Sequence, residues 1–155
     1  MELANILAKD SVVICPRVHN KRELLEILAE RAAEQVGLDT AVVLDALLKR
    51  EELGSTALGN GIAIPHGKLS GLKGVVAAFA RLEEPVEFDS LDDQPVDLVM
   101  MLLAPVGAGA DHLKALARVA RLLRTDSLVN DLRHSATAER IHALLTAPIE
   151  TTFAA

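Results

Sequence analysis

The sequence predicts an α/β protein, and three observations carry that expectation. Half of the 155 residues are apolar while only 2% are aromatic, so the core has to be built from Leu, Val, Ile and Ala. Short β-branched or wholly apolar runs, such as SVVICP (11–16) and PVDLVMMLLAP (95–105), read as strands. Between and after them apolar residues recur at helical spacing. A chain of this length buries a core without disulfide or metal staples, so one domain over 1–155 is the expectation.

The elements follow in order. The run 11–16 is a first strand, ended by Pro16, which cannot donate to a ladder. Asn20 then caps a helix, with Glu23 three residues on as in a capping box, and Leu24, Leu28, Ala32 and Val36 form its core face until Gly37. Asp39 or Thr40 starts a second helix carrying Val43, Leu44, Leu47 and Leu48, with Arg50 in its last turns and Gly54 as the left-handed residue beyond them. GIAI (61–64) is a short strand leading to Pro65, and KGVVAAFARL (73–82) and 95–105 are two more, the last apolar enough to be central. EEPVEFDSLDDQ (83–94) is an acidic surface loop. DHLKALARVARLLR (111–124) is a helix with Leu113, Leu116, Ala120 and Leu123 on one face and Lys114, Arg118 and Arg121 on another. Shorter helices are expected near 126–134 and 137–147, then a frayed tail from Pro148.

The formal charge of −6 and pI near 5.3 argue against a nucleic-acid or anionic-membrane partner, either of which needs a concentrated basic surface. The lone Cys15 has no internal disulfide partner and sits in an apolar strand, which predicts burial. The start MELANILAKD lacks the basic and apolar segments of a secretory signal, and the uncharged run 98–110 is too short to span a bilayer. A cytoplasmic protein without direct membrane insertion is expected.

Gly54 and Gly59 mimic the spacing of a nucleotide-binding loop, but Asn60 and Gly61 stand where Lys and Ser/Thr are needed. No HExxH, CxxC or Gly-x-Ser-x-Gly pattern occurs, which leaves zinc hydrolysis and serine esterase chemistry without local support. The informative stretch is GSTALGNGIAIPHGK (54–68). Taken alone, His66 is a structural histidine at a strand end. Its neighbours favour chemistry: Pro65 fixes the backbone before it, Gly67 lets the chain leave sharply, and Ser55, Thr56, Gly59 and Gly61 offer hydroxyls and N–H groups to an anion. A neutral imidazole in such a setting is a nucleophile, and phosphorus is the fitting electrophile, because phosphoryl transfer asks mainly for positioning and charge stabilisation. No metal or cofactor is required. Arg50 can supply a bidentate fork to phosphoryl oxygens, whereas Lys68 can equally face water. Asp111 and His112 stand at a helix start, where the dipole tends to keep an imidazole neutral and able to donate. His19, His134 and His142 are assigned no chemistry.

These residues resemble a known family, the enzyme IIA proteins of the bacterial phosphoenolpyruvate-dependent phosphotransferase system, mannitol/fructose class. The resemblance is carried by KREELGST (49–56), GNGIAIPHGK (59–68) and DHLKALARVARLLR (111–124). It implies a three-layer α/β/α sandwich around a mixed sheet of four to five strands. It also implies that His66 is phosphorylated on Nε2 by a phosphohistidine of HPr or of its nitrogen-branch counterpart, with Arg50 and His112 as supporting groups and Ser55 and Thr56 as pocket hydroxyls. A chain without a fused IIB domain or permease resembles the nitrogen-regulatory branch, whose members signal through potassium transporters or sensor kinases. The alternatives are a sugar-specific IIA subunit serving a IIB partner in fructose or mannitol uptake, and a binding module whose histidines no longer turn over. Ala57-Leu58 departs from the Gly-Ile common in the family, a change expected to restrict the loop.

Overall fold

Residues 2–147 are described by the computed structural model, so the tail expected from Pro148 lies outside the described residues. Strand β1 (Leu7–Cys15) begins four residues earlier than its β-branched run suggests. Helix α1 (Lys21–Val36) is capped by Asn20, whose side chain accepts from the Glu23 N–H at 2.8 Å, and stops at Gly37, φ 72°. The return half of the capping box is displaced by one residue. The Glu23 carboxylate accepts from the N–H and the ring Nδ1 of His19, which holds its pKa below the usual carboxylate range.

Helix α2 (Thr40–Glu52) is followed by β2 (Ala57–Gly59), β3 (Ile62–Ala63) and β4 (His66–Leu69). Strands β5 (Val76–Val86) and β6 (Val96–Pro105) then precede α3 (Gly109–Leu122), α4 (Asp126–Arg133) and α5 (Ala138–Leu145). The sheet has six strands in the order β1-β5-β6-β3-β2, with β4 also pairing β6. It is mixed: β1/β5, β3/β6 and β4/β6 are parallel, while β5/β6 and β2/β3 are antiparallel.

Six strands rather than four to five result because β2 and β4 lie in the stretch that composition marks as loop. Glycine and hydroxyl content hides pairing that the neighbours impose. Ala57 pairs with Ala63 in extended backbone, a conformation that suits alanine. Gly67 is not a sharp exit. It sits inside β4, and a Cβ there would lie 3.4 Å from Ala46, so its small size lets α2 approach the strand.

The central strands alternate faces, as a period of two requires. Ala78, Ala80, Val99, Met101 and Leu103 meet α1 and α2, whereas Phe79, Leu98, Met100 and Leu102 meet the side of the sheet covered by α3, α4 and α5. That is the expected α/β/α sandwich. Cys15 is buried in the first of these cores, and burial pushes its thiol pKa up. On α3 the buried line is His112, Ala115, Val119 and Leu123. Leu113, expected in the core, is 68% exposed, because the helix is turned so that 112 rather than 113 faces the sheet. Among the described residues no helix is long and apolar enough to cross a membrane.

Candidate functional site

His66 opens β4 opposite Leu102 of the central strand, which puts its ring at a fixed place on the sheet. Its Nδ1 lies 2.8 Å from the Ile64 carbonyl oxygen. A carbonyl can only accept, so Nδ1 carries the proton and Nε2 keeps its lone pair. Arg50, in the last turn of α2, donates from Nε toward that Nε2 at 3.3 Å and from Nη1 to the Gly54 carbonyl at 2.9 Å. The His66 pKa is lowered from the ordinary 6.5, chiefly by burial and then by the Arg50 charge, against the opposing pull of the Ile64 bond and of Glu51. The ring is therefore neutral near pH 7.

His112 packs edge-on against His66, with ring centroids 5.5 Å apart and planes at 73°. It is 6% exposed, and its Nε2 is buried without a hydrogen-bond partner. A buried polar nitrogen left open is costly unless something arrives to use it. Burial, then His66 and Lys68, lower its pKa below 6.5. Lys68 itself is exposed and acts only at a distance. One free imidazole nitrogen and one guanidinium thus meet, with a second imidazole ring packed beside them, a set that can receive an anion. Among the described residues no three His, Cys, Asp or Glu side chains converge as metal ligands.

Ser55, Thr56, Gly59 and Gly61, expected to line the anion pocket, are occupied elsewhere. Ser55 Oγ donates to the Phe88 carbonyl at 2.8 Å. Thr56 is buried, and both its N–H and its hydroxyl go to the Glu51 carboxylate. Gly59 faces Asp92, and Gly61 faces Arg133 and Asp97. Along β6, Ile62 is in register with Leu98 and His66 with Leu102, which sets Ile62 and its neighbour Gly61 about 13 Å or more from His66 at 3.3 Å per residue. Hydroxyls and glycines in one short segment look like a single pocket in the sequence, but extended backbone spreads them out. Glu51 and the Ile64 carbonyl were not legible as site residues. Nothing in an acidic residue beside Arg50, or in a backbone oxygen, signals its role before the strands are paired.

Of the remaining histidines, His134 Nδ1 meets the Asn130 carbonyl and His142 Nε2 meets the Leu7 carbonyl, both as local ties.

Known proteins resemble this chain over nearly its whole length. Residues 5–147 match the family described as phosphoenolpyruvate-dependent sugar phosphotransferase system, EIIA 2. A nitrogen regulatory protein of Bradyrhizobium diazoefficiens is 49% identical over 148 residues, covering 96% of this chain and 97% of that protein. A fructose-specific EIIA component of Haloferax volcanii is 34% identical over 84% of this chain and 85% of its own length. The crystal structure of the nitrogen regulatory protein IIA-Ntr from Neisseria meningitidis superposes with a TM-score of 0.88 at 38% identity, covering 93% of this chain and 99% of that one.

Proposed function

The chain belongs to the phosphotransferase-system EIIA 2 family, and from that premise we propose that it is a phosphohistidine carrier of the nitrogen-regulatory branch, with His66 as the residue that receives the phosphoryl group. The observation that supports this best is the Nε2 of His66, deprotonated and turned toward Arg50 at 3.3 Å while Nδ1 is tied to a carbonyl. In the transfer, the bond from phosphorus to the donor's histidine breaks as the bond to Nε2 forms. The proton stays on Nδ1, where the Ile64 carbonyl stabilises the positive charge the ring acquires. Arg50 meets the equatorial oxygens, and the His112 ring packed against His66 supports the phosphorylated imidazole. Neither group needs a metal to act.

The donor in this reading is an HPr-like protein that presents its own phosphohistidine. Exposed Val42, Val106 and Leu113, with Lys68 and the Lys49–Asp45 ion pair between the first two, supply an apolar docking rim with one positive charge unpaired among the described residues on an otherwise acidic chain. Phosphorylation state then governs binding to regulatory targets such as potassium transporters or sensor kinases.

Incubation with phosphoenolpyruvate, enzyme I and an HPr-type donor is expected to give an acid-labile, base-stable adduct that maps to residue 66. Labelling of a His66→Ala protein as strong as wild type overturns the assignment. The likeness to a fructose-specific EIIA component favours one second reading, a sugar-specific subunit that passes the group to a IIB partner. Rapid transfer from the labelled protein to a fructose or mannitol IIB domain would select it.

A further inference from the structure

Glu51 lies in the last turn of α2, where the helix dipole disfavours an acid, and its side chain is only 5% exposed. Burying a carboxylate costs several kcal/mol unless donors surround it, and an apolar residue of similar volume is often the more stable choice. Here three donors are gathered: Lys21 Nζ at 2.9 Å, the Thr56 N–H at 3.1 Å and the Thr56 hydroxyl. Lys21 is itself fixed, with Asp89 at 3.6 Å and the Phe88 ring 4.4 Å below it. The same loop receives the Ser55 hydroxyl.

These bonds enclose the turn 53–56, and that turn carries the Gly54 carbonyl to which Arg50 Nη1 is bound. We propose that Glu51 is a positioning residue for the transfer: its carboxylate locks Thr56 and Lys21 around the turn and so sets the Arg50 guanidinium against His66 Nε2. Thr56 belongs to this device as a strut. It is not a pocket hydroxyl. The geometry explains why a charge is kept where a hydrocarbon would suffice for packing, since only a charged, multiply accepting group ties a lysine, a backbone N–H and a hydroxyl at one point. The Glu51 charge also reaches His66, raising its pKa against the effect of Arg50.

The inference rests on the reading of His66 as the phosphoryl acceptor, and the experiment keeps the two apart by using two readouts. In the unphosphorylated protein, the Arg50 Nε–H resonance is followed by nitrogen-15 NMR while His66 is titrated. With a phosphorylated HPr-type donor, the rate of transfer to the unphosphorylated protein is measured. Wild type is expected to show an Arg50 resonance that shifts as His66 protonates. Glu51→Gln, which keeps the volume but loses the charge, is expected to lose that shift and to transfer about a hundredfold more slowly; Thr56→Val about tenfold more slowly, and Thr56→Ser near wild type. Thr56→Val removes a single hydroxyl and serves as the test should Glu51→Gln fail to fold. A folded Glu51→Gln or Thr56→Val protein with both readouts unchanged overturns the inference. If no donor labels wild-type His66 while the Arg50 shift is still lost in the variants, the carrier reading falls and the positioning stands.

Discussion

Two charged clusters lie along the same edge of β6, about 16 Å apart from Asp97 to the level of Leu102, and they are finished to different degrees. At one end Arg133 donates to both oxygens of Asp97 and to the Asn60 carbonyl at 2.6 Å. The helix that delivers it is anchored too, since the buried Arg81 donates to the carbonyls of Leu132, Arg133 and Ser135 at the end of α4. Both Asp97 oxygens and the Asn60 carbonyl are thus taken up by Arg133, and three carbonyls at the end of α4 by Arg81. At the other end Arg50 has spent only part of its fork, His66 Nε2 faces one long bond at 3.3 Å, and His112 Nε2 has no partner. A cluster satisfied by its own residues holds a fold together, whereas one that leaves buried donors unspent is shaped for something that comes and goes.

Substitutions at the two ends should therefore fail in different ways. The largest effect is expected for Arg50→Lys, which keeps the charge and loses the fork: the rate of His66 phosphorylation falls about a hundredfold, some 2.7 kcal/mol of transition-state stabilisation, with melting temperature unchanged. A rate within threefold of wild type would break the distinction. Next is Gly61→Ala at the satisfied end. Gly61 has φ +81°, and a Cβ there would lie 2.7 Å from Arg133 Nη2 and 2.9 Å from Asp97 Oδ1. Denaturant unfolding is expected to show a loss of about 2 kcal/mol, with phosphorylation of the folded fraction unaffected.

His112→Phe preserves an aromatic ring against His66 but removes the Nε2 donor. Transfer is expected to slow about tenfold with little change in stability, measured by stopped-flow against an HPr-type donor. The smallest effect concerns pH. Both His66 and His112 are held below the ordinary 6.5, so the stability they contribute is complete above that pH and is lost as the pH falls through the lowered values. Urea midpoints should drop as the pH falls below the ordinary 6.5, and drop less in His112→Phe. Identical pH profiles for the two proteins would show that His112 is not the group responsible.

The order of strands and helices and the central place of 95–105 could be read directly, because alternation and helical spacing are local properties of the chain. His66 could be singled out from its neighbours, whereas Arg50 alone reads as a solvated surface residue and His112 alone as a helix-start residue that only the family resemblance raises to a site candidate. The fates of Ser55, Thr56, Gly59 and Gly61 could not, nor could the rotation of α3 that buries His112 and exposes Leu113. A histidine's free nitrogen depends on which carbonyl its other nitrogen meets, and that is settled by the chain's turn at Ile64.

By itself the sequence determined the α/β class and the aliphatic core, and it singled out His66 as a candidate for phosphoryl chemistry, since composition, periodicity and side-chain type are inherited by any fold the chain adopts. Only the tertiary structure decided which hydroxyls and charges are already consumed and which remain open. Hydrogen-bond partners come from strands and helices distant in the chain, and 3.3 Å of rise per residue separates groups that look adjacent on the page.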